Sequence, residues 1–421
     1  MQTYTYPKSQ EWFQRALKVI PSGIYGHKGP AHGNFIPVEN WPLVSAKAKG
    51  TYMWDVDGNK FIDYMCGFGV NILGYCDEDV NNAAIKQMSV GDCLTTPTHK
   101  IIEYAELLTD TVKSADWAFF CKNGGDATTG AILTARHHTR KSKVIFVNGF
   151  YHGVGMWTQK IDYPGIQPGD VAGNLYIPFN DIPALEKVLA ENEGEIAAFI
   201  GTPYMHGIFK DNVLPEDGYW QKVRELCTKH GVVLILDDVR CGFRLDMAGS
   251  DHYYGFEADI ICFCKALANG WPVSAVCGKE EFKPAISSLS FTGSYWQSSV
   301  PFAAGIAAIE KMKKIDICKV LKDNSTKLCN AFAAAAENNG FDLVISGEPQ
   351  LFYFRIANDP NMFAHQQWIA EMMVRGVFLT GHHNHFTCAA LSDDDIKVTA
   401  EVADEAFKIV RKNNPQLQYS N

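Results

Sequence analysis

The feature that most constrains this chain is a recurring alternation. Short apolar runs bounded by Gly, Pro, Asn or Asp are separated by segments with helical periodicity. The runs are residues 117–120, 144–147, 197–200, 232–236, 260–263 and 273–276. Runs of that length without polar alternation suit strands covered on both faces. Between them the spacing predicts helices over 127–138 and 219–230. The second of these places Trp220, Val223, Leu226 and Cys227 along one face. Strand and helix in turn imply an α/β fold with a mainly parallel central sheet.

The two ends lack that signature. Residues 8–20 read as an amphipathic helix with Trp12, Phe13, Leu17 and Ile20 as its apolar side. Residues 50–58 read as a hairpin with Asp57-Gly58 at the turn. From about Asp316 onward, helices and short strands alternate without buried parallel runs. The last helix, 393–412, opens on an acidic turn that complements the helix dipole. A chain of 421 residues exceeds one simple core. The expected division is an N-terminal segment, 1–60, belonging to a small α+β domain; a large α/β domain, 61–310; and the rest of the small domain, 311–421.

Charge and cysteine usage exclude some functions. A net charge of −9 disfavours a nucleic-acid or anionic-membrane surface. The 12 cysteines have no framework spacing, and Cys262 and Cys264 alternate on a strand, so they form neither a zinc site nor a redox pair. Reduced thiols fit the cytoplasm. The opening Met1-Gln-Thr-Tyr-Thr-Tyr-Pro lacks a basic start with an apolar core, and no apolar run reaches membrane-spanning length. Gly67-Phe68-Gly69 is continued at the wrong spacing for a dinucleotide fingerprint.

Chemistry gathers at the strand ends. The run 232–236 delivers Asp237 and Asp238, and the run 260–263 is followed, after Cys264, by Lys265. An acid at one strand end and a lysine just past another are what a pyridoxal phosphate site needs. The amine bonds to the cofactor aldehyde, and the carboxylate keeps the pyridine nitrogen protonated so that the ring accepts electrons. Asn123-Gly124-Gly125-Asp126 follows a strand and opens a helix. Its glycines and free N–H groups suit a phosphate, and no Walker lysine is present. Tyr151, in the loop Asn148-Gly-Phe-Tyr-His-Gly153, is placed to stack on a flat ring, with His152 as a hydrogen-bonding scaffold. Val239, two residues past Asp237, would press on the opposite ring face.

Together these segments resemble the class III pyridoxal-phosphate-dependent aminotransferases, and most closely the glutamate-1-semialdehyde aminomutase subgroup. The resemblance runs from about Ile20 to the C-terminus. It is carried by the Trp-Asp-Xaa-Asp-Gly-Asn pattern within 50–63, by Asn123-Gly-Gly-Asp-Ala127 in the phosphate-turn position, and by Tyr151-His152-Gly153. Asp237-Asp238-Val239, Lys265 and Gly270-Trp271-Pro272 complete it. It implies fold type I, pyridoxal 5'-phosphate as cofactor, Lys265 and Asp237 as catalytic residues, and Asn123, Gly124, Gly125, Asp126, Tyr151, His152 and Val239 around the cofactor. It also implies a homodimer in which Ser294, standing where the family has a Thr, reaches the neighbouring subunit's phosphate.

Departures fall where substrate is chosen. The family's Asn-Pro becomes Ser298-Ser299, and the Glu of its Glu-Pro strand end becomes Thr202. The subgroup's carboxylate-gripping Arg has no counterpart in 23–29, where His27 and Lys28 are the candidate cations. His383 stands near the place of a pocket glutamate, and Phe68 is a further candidate wall. The histidines of 381–385 have no ligand set for a metal. The expected activity is transfer of an amino group between an amino acid or amine and a keto acid or aldehyde. The alternative is a pyridoxal-phosphate isomerase, either an aminomutase or a racemase.

Overall fold

The computed structural model describes residues 3–23 and 41–415. The chain forms two compact units. One comprises Met1–Asp77, Gly207–Asn212 and Lys319–Asn421, and the other Glu78–His206 and Val213–Cys318.

In the first unit, β1 (Ser45–Lys49), β2 (Tyr52–Asp55) and β3 (Lys60–Asp63) form an antiparallel meander, and the short β13 (Val377–Phe378) joins β3 in parallel. The Asp57-Gly58 turn links β2 to β3, with Gly58 at φ 90°. Asp57 also stops a helix end from fraying: its carboxylate accepts from the backbone N–H groups of Lys8 and Ser9 at 2.7 and 2.9 Å, in the first turn of helix Pro7–Ala16. That helix is shorter than its apolar spacing predicts. Its expected apolar side is largely uncovered among the described residues, with Trp12, Leu17 and Ile20 all more than two-fifths exposed. The chain turns at Leu17 and comes back at Gly23, whose tight approach to Phe13 and Leu17 closes the turn. β11 (Leu343–Ser346) and β12 (Tyr353–Ile356) form a separate antiparallel pair. Helix Asp393–Asn413 begins at Ser392, whose hydroxyl accepts from the N–H of Asp395.

The second unit holds the predicted sheet. Its order is β4 (Trp117–Cys121), β10 (Ser274–Gly278), β9 (Ile260–Phe263), β8 (Val233–Asp237), β7 (Ile196–Gly201), β5 (Lys143–Val147) and β6 (Asn174–Ile177). β5 to β9 pair in parallel, and β10 runs antiparallel to both β9 and β4. The reversal follows from chain length. Only Cys264–Val273, with the single 3-10 turn Lys265–Ala268, separates β9 from β10, too little for a parallel crossover. Two reversals leave β4 parallel to β9, so six strands present their carboxyl ends at one edge. Helix Gly124–Thr139 buries Ala127, Ala131, Ile132 and Ala135 against the sheet, and Tyr219–His230 buries Trp220, Val223, Leu226 and Cys227.

The core of the first unit contains two fully buried histidines. His385 stacks on Phe354 with centroids 4.6 Å apart, and His365 meets the same ring edge-on at 5.9 Å. The N–H of Thr380 donates to Nε2 of His385 at 3.1 Å. Burial pushes both imidazoles down to about 3, so both are neutral in the folded protein. A folded value below the unfolded one makes the unfolded chain take protons first. Their contribution is intact above about pH 6.5 and is lost as pH falls towards 3, by about 2 kcal/mol per imidazole at pH 5. Thermal melts at pH 7.5 and pH 5 should show this, with the drop between the two reduced by roughly half in His365→Met.

Candidate active site

The carboxyl edge of the large sheet collects the side chains singled out in the sequence. β8 ends in Asp237, and the chain then turns at Val239. Asp237 is buried, and its Oδ2 accepts from Nδ1 of His152 at 2.7 Å, an imidazole that is itself almost fully buried. Its other oxygen, Oδ1, accepts from the N–H of Val239 at 3.2 Å. A buried carboxyl group needs donors, and this one has a ring N–H and a backbone N–H. The neighbouring Asp238 points the other way, as alternation requires, and accepts from Ser250 N–H and Oγ at 2.9 and 2.6 Å. Burial pushes Asp238 well up. The acid pair therefore divides into one residue facing the site and one holding the helix that follows.

Lys265 comes one residue after Cys264, past the end of β9. It sits in the left-handed region, with φ 44°, and opens the 3-10 turn Lys265–Ala268. A non-glycine residue there costs about 1–2 kcal/mol. The turn is stopped by Asn269, also left-handed, and by Gly270 at φ 97°. Burial pushes the Cys264 thiol up, and the backbone N–H groups of Lys265 and Gly124 counter that shift. The lysine backbone and the glycine-rich helix start thus converge on one sulfur.

At that helix start, Asn123 donates its backbone N–H to the Asp126 carboxylate at 2.8 Å, and Asp126 donates its N–H to the Asn123 carbonyl at 3.0 Å. Asp126 therefore shapes the turn as a cap, which leaves anion contact to the N–H groups around it. Glycine is required here by space. A Cβ on Gly124 would lie 2.9 Å from Cγ1 of Val239, and one on Gly153 would lie 2.4 Å from the Cα of Gly125. The loop carrying Tyr151 and His152 therefore presses backbone to backbone on the helix start. Thr128 ties the two together, its hydroxyl donating to the His152 carbonyl at 2.6 Å. Tyr151 is 55% exposed at the edge.

These residues fit pyridoxal phosphate. The glycine cradle offers helix N–H groups to a phosphate, the buried carboxylate suits a protonated pyridine nitrogen, and a lysine amine stands on the adjacent strand end. Ser294 lies on an exposed turn just before helix Ser299–Lys314. Phe68 and His383 belong to the other unit, where their rings meet edge-on at 5.5 Å; Phe68 sits in a left-handed turn at φ 63°. His27 and Lys28 lie outside the described residues. Among the described residues no group of three or more His, Cys, Asp or Glu side chains could hold a metal ion. The link from His152 to Asp237 spans 85 residues and carries no motif of its own in the sequence.

A family model described as aminotransferase class-III matches residues 36–411. An aminopentol aminotransferase from Sphingopyxis macrogoltabida is 35% identical over 405 residues, which cover 96% of this chain and 95% of the relative. A glutamate-1-semialdehyde 2,1-aminomutase from Desulforamulus reducens is 30% identical over 434 residues, covering 97% and 99%. The solved structure of the PLP internal aldimine form of the Sphingopyxis sp. MTA144 FumI protein superposes with a TM-score of 0.94 at 34% identity, covering 97% of this chain and 98% of that one.

The contact between the two backbone segments is open to a direct test. Gly149 and Gly153 both have positive φ, but a Cβ at Gly149 meets nothing within 4 Å. Gly149→Ala should cost only the backbone term, about 1 kcal/mol. Gly153→Ala should cost at least about 2 kcal/mol more, because two main chains must separate. Urea unfolding of the two variants side by side measures the difference.

Proposed function

The chain belongs to the class-III aminotransferase family, and from that premise we propose which of its residues carry the reaction and what it acts on. It is a pyridoxal-phosphate-dependent aminotransferase of fold type I. When bound, pyridoxal phosphate supplies an aldehyde that takes up the amine and a ring that accepts the electron pair left behind when a proton departs. We assign the covalent attachment to Nζ of Lys265. Once displaced by an incoming amine, that nitrogen would act as the base that takes the proton from the amine-bearing carbon and as the acid that returns it to the cofactor carbon on the far side of the amine nitrogen. Asp237 would hold the proton on the ring nitrogen, and His152 keeps Asp237 oriented. Asn123, Gly124 and Gly125 would surround the phosphate at the helix start, while Tyr151 and Val239 would cover the two ring faces. The observation that carries this reading is the arrival of Asp237, Lys265 and the Gly124–Gly125 cradle at one edge of one sheet.

The donor is assigned as a hydroxylated amine by likeness to the aminopentol aminotransferase, and the acceptor as a keto acid or aldehyde. Phe68, His383, His27 and Lys28 remain candidates for the substrate wall. The working form is a homodimer in which Ser294 completes the partner's phosphate site. Exposed apolar side chains support it: Met88, Val90 and Tyr295 are at least 60% exposed. Asp92, in the loop after Met88, accepts from Ser298 Oγ and the N–H groups of Ser299 and Val300, which ties that loop to the segment bearing Ser294. The cytoplasm is the proposed location, supported by 12 free cysteines. Among the described residues no helix is long and apolar enough to cross a membrane.

The aminomutase relatives keep an isomerase as the second reading. Mixing the loaded enzyme with amine and no keto acid separates the two. Release of a carbonyl product in one equivalent per site supports transamination; conversion of the amine to an isomer alone supports the isomerase. Lys265→Ala should lose turnover altogether, and borohydride should no longer fix the cofactor to the peptide containing residue 265. Asp237→Asn should retain bound cofactor and lose roughly 100-fold or more in kcat.

A further inference from the structure

Ser298 and Ser299, the pair standing where the family has Asn-Pro, meet an acid from a distant loop. The chain after helix Glu78–Met88 turns at Gly91, whose φ is 124°, and delivers Asp92 to the start of helix Ser299–Lys314. Asp92 Oδ2 accepts from the Ser298 hydroxyl at 2.8 Å, and Oδ1 accepts from the N–H groups of Ser299 and Val300 at 2.5 and 3.1 Å. A proline as the second residue of the pair could not supply the shortest of these, because it has no N–H. The far end of the same loop adds a further contact: Thr98 donates its hydroxyl to Ser299 Oγ at 2.8 Å. Partial burial raises the Asp92 pKa, but the donors outweigh it and hold the group below the ordinary carboxylate range. The acid is therefore an anion at neutral pH, facing the positive end of a 16-residue helix.

That anchor fixes the helix end of the segment bearing Ser294. Trp296 holds the middle of it, its ring centroid 4.8 Å from that of Phe291 and 6.2 Å from that of Phe119 on β4. The backbone between is a tight turn: the N–H of Trp296 donates to the Gly293 carbonyl at 2.9 Å, and that of Ser298 to the Tyr295 carbonyl at 3.1 Å. Ser294 and Tyr295 are exposed on it, while Ser298, Ser299 and Val300 are buried. The Ser294 hydroxyl therefore takes its direction from the ties behind it, and Asp92 supplies a charged one.

We propose that Asp92 is a positioning residue that aims Ser294 at the cofactor phosphate in the partner subunit, and so governs how tightly that subunit keeps its cofactor. The inference rests on the homodimer reading, in which Ser294 completes the partner's phosphate site. Its consequence differs between the two half-reactions. While the cofactor aldehyde is bonded to Lys265, the covalent link retains it. Once the amino group has moved to the cofactor, that link is gone, and noncovalent contacts, those at the phosphate among them, must hold it.

The first test is binding. Titration of the apoenzyme with pyridoxamine phosphate should give a Kd raised roughly tenfold in Asp92→Ala, with partial recovery in Asp92→Asn, whose amide oxygen still accepts. The second test assigns the effect to a subunit. Heterodimers are isolated through two affinity tags, with Lys265→Ala in one subunit so that a single site turns over. With Asp92→Ala placed on the Lys265→Ala subunit, the pyridoxal phosphate concentration for half-maximal turnover should rise roughly tenfold, because the working site leans on the altered turn. With Asp92→Ala placed on the subunit that keeps Lys265, it should stay at the value of the heterodimer without that change. A rise in both arrangements marks a general structural effect and would overturn the proposal, as would a rise in neither or an unchanged Kd for pyridoxamine phosphate. Failure of the dimer reading is a different result: the wild-type holoenzyme would sediment as a monomer, and the proposal would fall with it.

Discussion

The site depends on one buried hydrogen bond across the sheet edge. Asp237 ends a strand whose every residue is buried, and a carboxyl group there needs polar partners. His152 is one of them. Its Nδ1 donates to the carboxylate, and its own ring is packed near Phe146 and Phe150, with centroids 6.0 and 6.2 Å away, so it cannot swing out. The His152 loop is in turn held by the Thr128 hydroxyl and by the contact of Gly153 with Gly125. Asp237, the loop bearing Tyr151 and the helix start at Gly124 are therefore one mechanical unit, so a disturbance in any of them reaches the others.

Lys265 adds a second constraint. The chain must leave β9 and reverse into β10 within ten residues, and it does so through left-handed backbone at Lys265 and Asn269. The strain is set at the residue to which we assign the reacting amine, where a relaxed helical turn would carry the side chain elsewhere. The same short connection makes β10 antiparallel and lets β4 come into the sheet with its carboxyl end at the shared edge. Topology and chemistry thus have a common origin in the length of one loop.

Much of this was legible in the residues. All six apolar runs are strands, because strands covered on both faces leave an uninterrupted apolar mark. The missing strand, β6, is an edge strand: Asn174, Leu175 and Tyr176 are all partly or well exposed, and its residues read as loop. The direction of β10 escaped notice because an apolar run carries no sign of its sense; only the short connection does. The apolar side of the first helix was legible as a pattern, but the helix ends at Ala16, and periodicity does not say whether anything covers the stripe. At the site, Asp237 and Lys265 stand out because a charge at the end of an apolar run is unusual. The bond from His152 to Asp237 depends on which loops meet in space, and the sequence leaves no mark of that.

The central claim is that Asp237, held in place by His152, would keep a proton on the ring nitrogen of the bound cofactor. Nitrogen-15 NMR of the enzyme reconstituted with ring-labelled pyridoxal phosphate reads that proton directly. The account predicts a protonated-pyridinium shift that stays constant from pH 6 to pH 9. A shift that moves to the neutral-pyridine position within that range would contradict it.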